Sequence, residues 1–194
     1  MNIKSEIITS IKLFIGFSIL LGLVYPLTIT GIAQATMPNK ANGSLIKIDG
    51  KVIGSSLIGQ KFDKPEYFNS RPSAVDYNAS GSGASNLGPS SKKLMGQVKT
   101  RVEDAKKLSS RFTLHSSPSI PADMVLTSAS GLDPHISLEN ANAQLPKITK
   151  IRNISEIKLQ ELVKKNTDSD FIGIWGQKGV NVLKLNIALD KEGK

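Results

Sequence analysis

The stretch "LFIGFSILLGLVYPLTITGIA", Leu13–Ala33, decides the architecture of this chain. It holds 21 residues inside a run of 27, Leu13 to Asn39, that carries no charge. A helix rises 1.5 Å per residue, so roughly 20 apolar residues cross a hydrocarbon core of about 30 Å. Gly16, Gly22, Gly31 and Pro26 would weaken a helix in water. A span tolerates them where neighbouring groups satisfy the backbone. A cleaved signal peptide competes, with Lys4 and Lys12 as its basic region and "AQA" (Ala33–Ala35) as the processing site. The apolar run exceeds the roughly 7–15 residues of a signal core, which favours a retained anchor. Residues 1–12 then form a short flank, 13–35 a transmembrane helix, and 36–194 a single mixed α/β extramembrane domain.

Lysines flank the span almost evenly, with Lys4 and Lys12 before it and Lys40, Lys47 and Lys51 after it. The adjacent Lys12 favours a cytoplasmic N-terminus and an extracytoplasmic domain. The formal charge of +9 suits an anionic partner such as lipid. The ten aromatics are not interleaved with basic residues, so nucleic acid is not expected. Zero cysteine excludes disulfides and thiolate chemistry.

Beyond the span, "SLIKIDGKVIG" (Ser44–Gly54) predicts a hairpin turning at Asp49-Gly50. Ser55–Ser91 has no periodicity, and eight of its last fourteen residues are Gly or Ser, as in a flexible linker. Phe62, Tyr67, Phe68 and Tyr77 argue instead for a docked loop, since a solvated linker has no use for them. Lys92–Leu108 predicts a helix capped at Ser90 or Ser91, with Leu94, Val98, Val102, Ala105 and Leu108 as its apolar stripe. "ADMVLTS" (Ala122–Ser128) and "DFIGIWG" (Asp170–Gly176) read as strands, and Ile154–Thr167 as a helix capped at Ser155 that buries Ile157, Leu159, Leu162 and Val163. In "GVNVLKLNIALD" (Gly179–Asp190), Leu183, Leu185, Ile187 and Leu189 alternate with Lys184, Asn186 and Ala188, the period of a strand. The fold class expected is α+β (mixed α/β) with one N-terminal transmembrane helix.

Searching for chemistry ends at "TSASGLDPHIS", Thr127–Ser137. A strand ending at Ser128, a turn at Gly131 and a helix capped by Asp133 and opened by Pro134 is the local expectation, with Ser137 capping again and Pro146 breaking or kinking the helix after Leu145. A turn ahead of a helix start presents free N–H groups that can bind phosphate, though most such turns bind nothing. Ser130, Asp133 and His135 lie too close in sequence for a catalytic triad, whose members converge from distant segments. His115 and His135 lack the neighbours of a metal site, and no phosphate loop, GxGxxG or HExxH motif occurs. No catalytic residue and no metal are expected.

Eight motifs in order then carry a resemblance: "GLVYPL" (Gly22–Leu27), "ANGSLI" (Ala41–Ile46), "GSSLIGQKF" (Gly54–Phe62), "YFNSRPSA" (Tyr67–Ala74), "SGASNLGPS" (Ser82–Ser90), "TSASGLDPHIS", "QLPKITKIRN" (Gln144–Asn153) and "VNVLKLNIALD" (Val180–Asp190). Together they resemble the C subunit of the Kdp potassium-transporting ATPase. The resemblance implies a non-catalytic, single-pass inner-membrane subunit that assembles with the ATPase, channel-like and small subunits and raises the ATPase subunit's affinity for ATP. It implies nucleotide contacts at Ser128, Ser130, Gly131 and Gln144, with no tightly bound cofactor and ATP met only through the complex. Phe62, Tyr67, Phe68, Arg71, Pro72, Tyr77 and Asn86 stand as partner-interface candidates. The chain departs from the family pattern at Ala84, where glycine is usual, and at Lys147, where arginine is usual. An outside domain is hard to reconcile with direct ATP contact, which favours coupling across the membrane. Competing readings are an anchored extracytoplasmic binding module for a surface polymer or peptide, using Phe62–Tyr77, and a tethered hydrolase using Ser128 or Ser130.

Overall fold

The computed structural model describes residues 3–112, 119–168 and 176–192, and the chain divides into two compact units, Met1–Ile53 and Gly54–Lys194. In the first unit a continuous helix runs from Ile3 to Thr36, about 50 Å at 1.5 Å per residue, and buries none of its side chains. Its parts are α1 (Ile3–Ile19), a π turn (Leu20–Val24) and α2 (Tyr25–Thr36). The π turn has a local cause. Pro26 has no N–H to give, and the Tyr25 N–H reaches back five residues to the Leu20 carbonyl. Thr9, Thr28 and Thr36 return their hydroxyls to carbonyls four residues earlier, leaving no bare polar group along the apolar surface at these positions. The short α3 (Pro38–Ala41) follows, tied to α2 by paired amide bonds between Gln34 and Asn42. The hairpin is as expected: β1 (Leu45–Ile48) and β2 (Lys51–Ser55) pair across Asp49 and Gly50, at φ 49° and 77°.

The second unit begins with the long loop, which is docked. Phe68 is fully buried and Phe62 and Tyr67 pack against the same core. Helix α4 (Lys92–Phe112) follows with Ser91 Oγ accepting the Leu94 N–H. Its expected stripe is only half-buried, and Leu108 is exposed.

Ala122–Val125 is a helical turn, α5, and not a strand. Asp123 is the reason: its carboxylate accepts the Ser137 N–H at 2.8 Å, the Ser137 hydroxyl at 3.0 Å and Asn140 Nδ2 at 3.1 Å. No helix opens at Pro134 either. Asp133 Oδ1 takes the His135 N–H in a local turn, and His135–Ile136 pairs as β3. Ser137 does cap the next helix, α6 (Leu138–Arg152), accepting the Asn140 N–H. This helix runs through Pro146 without ending, because Gln144, Leu145, Lys147 and Ile148 on both sides of the proline are locked into the interior. Asn153 closes it at φ 54°.

Ser155 caps α7 (Glu156–Lys165), which buries Leu159, Leu162 and Val163 but leaves Ile157 exposed. Strand β4 (Thr167–Asp168) pairs antiparallel with β5 (Gly179–Asn181), and β5 pairs antiparallel with β3, giving the order β3-β5-β4. Residues 170–175 of the strand expected at "DFIGIWG", and His115, lie outside the described residues.

The largest correction is at the C-terminus. After Asn181 the chain is a helix, α8 (Val182–Glu192), not a strand. Of its buried residues Val182, Leu183, Leu185, Asn186 and Leu189, all but Leu183 follow a period of three and four, and Asn181 Oδ1 caps the helix by accepting the Lys184 N–H at 3.1 Å. α6, α7 and α8 enclose the core formed with Ile136, Val180 and Phe68. Each fully buried apolar side chain there contributes roughly 1.5–3 kcal/mol.

Candidate functional site

Thr127–Ser137 is the lacing between the long loop and the helical core. The buried Ser128 gives its N–H to the Pro72 carbonyl at 3.2 Å. Ser130 accepts at its carbonyl from the Gly83 N–H (2.8 Å) and the Ser82 hydroxyl (3.0 Å), while its own Oγ accepts the Leu132 N–H at 3.1 Å. Gly131 stands at φ +68°, and a Cβ there would come within 2.6 Å of Val75 Cγ2 and 2.8 Å of the Gly83 carbonyl. Glycine is therefore required by backbone angle and by crowding together. Its carbonyl accepts the Ser73 hydroxyl at 2.7 Å. Ala84 stands outside the positive-φ positions of the chain, so alanine sits there without backbone strain.

Gln144 lies on α6, away from that turn in sequence and in role. Its Oε1 accepts the Asn69 N–H at 2.7 Å, and its Nε2 donates to the Asn69 carbonyl (3.1 Å) and to Asn140 Oδ1 (2.8 Å). Both polar atoms thus serve the fold. The same device recurs along residues 66–69, a stretch that pairs with no strand among the described residues. Asn186 bonds both the N–H and the carbonyl of Phe68, each at 2.9 Å. Lys147 Nζ donates to the Tyr67 carbonyl (2.9 Å) and to Asn69 Oδ1 (2.7 Å), and Arg152 Nε to the Glu66 carbonyl (3.2 Å). Side chains of α6 and α8 do for this segment what a neighbouring strand does in a sheet. Lys147 is 3% exposed with no carboxylate bound to it among the described residues, and burial pulls its ammonium down from 10.5 to about 8. Two oxygen acceptors replace the bidentate contact that an arginine fork would make there.

The partner-interface candidates are held by the chain's own residues, apart from the exposed Asn86 at φ 52°. The Phe62 and Tyr67 rings meet at 5.6 Å. Tyr67 donates its hydroxyl to Asp190 Oδ2 at 2.9 Å beneath the Arg152 guanidinium, whose carbon is 4.9 Å from the ring centre. Arg71 pairs with Asp133 at 2.9 Å, Pro72 receives Ser128, and the Tyr77 hydroxyl donates to the Arg71 carbonyl.

An open groove of about 710 Å³ lies beside this lacing, lined by Arg71, Asp123, Asp133, His135, Glu139 and Asp168 among others, and by none of Ser128, Ser130, Gly131 and Gln144. His135 Nε2 and Asp168 Oδ2 are 2.8 Å apart, and Lys184 reaches the other Asp168 oxygen at 3.3 Å. Burial alone would push the Asp168 carboxyl up; the His135 hydrogen bond and the Lys184 charge outweigh it and hold the group below the usual carboxylate range. His135 on β3 and Asp168 on β4 close over the middle strand at Gly179, where a Cβ would lie 3.1 Å from His135 Cβ. The imidazole is joined to Asp168, and the Ser137 hydroxyl is donated to Asp123. Among the described residues no group of three His, Asp or Glu side chains can hold a metal ion.

Sequence reasoning missed Asp123, Asn140, Asn181 and Asn186, the polar residues that organise the interior. Asparagine at the start of a helix is the one signal that could have found Asn181.

Compared with known proteins, residues 7–191 match the KdpC family, described as K+-transporting ATPase, c chain. A potassium-transporting ATPase KdpC subunit of Koribacter versatilis is 46% identical over 189 residues, 96% of this chain and 95% of that protein. The subunit of the same name from Caldanaerobacter subterraneus is 45% identical over 97% of this chain and 96% of its own length. That of Caulobacter vibrioides is 50% identical over 90% and 87%.

Proposed function

This chain belongs to the KdpC family, the c chain of K+-transporting ATPases, and from that premise we propose that it is a non-catalytic accessory subunit. It assembles through its apolar helix with the ATPase, channel-like and small subunits in the cell membrane. It stabilises them, with its N-terminus cytoplasmic and its folded domain outside, and raises the ATPase subunit's affinity for ATP.

One observation carries the form of this reading. Gln144, the side chain furthest from the serine-glycine turn among the four nucleotide candidates, has both polar atoms engaged on Asn69 and Asn140 inside the domain. An effect on ATP exerted without freeing that side chain is a coupling effect: the subunit binds one conformation of the complex better than the other. A tenfold gain in ATP affinity needs only about 1.4 kcal/mol of such preference.

Linkage supplies the test. The complex is reconstituted with and without this chain, and potassium-stimulated ATPase activity is measured against ATP concentration. The chain lowers the ATP concentration needed for half-maximal activity, and ATP in turn tightens the complex's hold on the chain by the same factor. Unchanged affinity for the chain in saturating nucleotide disproves coupling. The side of the membrane is read separately: a thiol introduced by Ala79→Cys, at an exposed position of a chain without cysteine, labels in intact cells with an impermeant maleimide.

A further inference from the structure

Helix α4 carries seven lysines and arginines against two acids, so five of the chain's nine net positive charges sit on these 21 residues. They are not spread around the helix. Lys92, Lys99 and Lys106 recur at every seventh residue and so form one row, and Lys93, Lys107 and Arg111 lie on the next, all exposed. The opposite side is occupied: Leu94, Val98, Val102 and Ala105 are half-buried, and Arg101 donates to the Val125 carbonyl at 2.8 Å. On the outer face the Lys107–Asp104 contact, at 3.6 Å, is the one ion pair among the described residues. Beyond the helix end, Lys150 over the Phe112 ring at 5.7 Å adds a further cation.

We propose that this outer face of α4 docks on the anionic lipid headgroups of the bilayer to which the chain's own apolar helix holds it. The inference rests on that helix spanning a membrane, as in the function proposed above. Between the two lysine rows lie Gly96, Thr100, Glu103 and Ser110, with Met95 and Leu108 only at the edges. Protein interfaces are depleted in lysine and anchored by aromatic and apolar side chains, which this face lacks at its centre. Compact ammonium groups on flexible stems instead suit a diffuse layer of mobile phosphates. Covalent attachment to the span raises the effective concentration of the face at the surface, so weak individual contacts suffice.

The test uses the full chain, whose lack of cysteine lets Ser110→Cys place a single dye on the outer face and Ala79→Cys a control dye on an exposed loop. Each is reconstituted into phosphatidylcholine vesicles with and without phosphatidylglycerol, and quenching by the neutral collider acrylamide is measured. The dye at position 110 becomes shielded only where phosphatidylglycerol is present. The shielding vanishes near 1 M salt, where screening acts over about 3 Å. Each of Lys92→Gln, Lys99→Gln and Lys106→Gln weakens docking by about fivefold, and the dye at position 79 responds to none of this. Flotation of every variant with both kinds of vesicle reports the span independently, so failure to insert is not confused with failure to dock. Equal quenching in the two vesicles overturns the proposal. Shielding that arises only when the other subunits are added, whatever the lipid, also overturns it and makes the face a protein interface.

Discussion

Asn186 occupies both hydrogen-bonding groups of the Phe68 backbone from 118 positions away, accepting its N–H and donating to its carbonyl at 2.9 Å each. Phe68 and Asn186 are both buried, so neither backbone group has water to fall back on. Asn186→Leu keeps the volume roughly constant but strips both partners. The expected loss is about 2–5 kcal/mol of unfolding free energy, since each orphaned group costs roughly 1–3 kcal/mol. Denaturant titration checks it, and exchange of the Phe68 amide accelerates in parallel.

Gln144→Glu separates a structural role from a ligand-binding one. The carboxylate still accepts the Asn69 N–H, but the two bonds donated by Nε2 are gone and a charge is buried at a site only 4% exposed. The domain loses about 2–4 kcal/mol of stability. ATP affinity of complexes that retain the folded chain stays unchanged, measured by half-saturation of ATPase activity.

Gly131→Ala places a side chain at φ +68° against Val75 and the Gly83 carbonyl. It costs about 2 kcal/mol or more through strain and displaced backbone. Ala84→Gly, at a position without positive φ, changes stability by less than about 1 kcal/mol. Thermal unfolding of the pair reads the contrast.

Lys147 predicts a rise in stability with alkaline pH. Burial holds its folded value at about 8 against 10.5 for the free side chain. Between these the unfolded chain binds more protons than the folded one, so unfolding free energy increases with pH across that window, by up to about 3 kcal/mol. Below pH 8 the group contributes no slope. Lys147→Met removes the slope, and unfolding midpoints collected from pH 7 to 11 test it.

Asp168 acts in the same direction, lower on the scale. Its carboxyl is held below the usual range, so its contribution is present at neutral pH and is lost as pH falls through the folded value. Acidification through that lowered value releases the His135 clasp, and amides of the β4–β5 ladder exchange faster; Asp168→Asn gives that fast exchange at neutral pH.

Much of this was legible in local chemistry. The charge-free run announced the helix, Asp49-Gly50 the hairpin, and Ser137 and Ser155 the starts of α6 and α7. Aromatics in an otherwise polar loop signalled docking, and Phe68 is indeed at the centre of the core. α8 misled because Leu183, Leu185 and Leu189 satisfy an alternating period while Val182, Leu185, Asn186 and Leu189 satisfy a helical one. What discriminates them is Asn186, a buried amide whose partner is Phe68. No pattern in sequence announces contacts such as Asn186 with Phe68 or Gln144 with Asn69, because the segment they hold has no periodicity of its own. Of the residues for which the resemblance implies nucleotide contact, Ser128, Ser130 and Gly131 lie in the loop lacing and Gln144 lies on α6.

The π turn at Leu20–Val24 has a consequence for assembly. One residue more in a turn advances every later side chain by about 100° around the axis. The face that Ile3–Ile19 would carry forward as a straight stripe is therefore out of phase with the face shown by Tyr25–Thr36. A neighbouring helix that follows one stripe across the first half of the span meets a different row of side chains in the second. In the membrane-spanning role proposed above, the segment would address two neighbours in succession, one at each depth of the bilayer, with Pro26 setting the depth of the exchange.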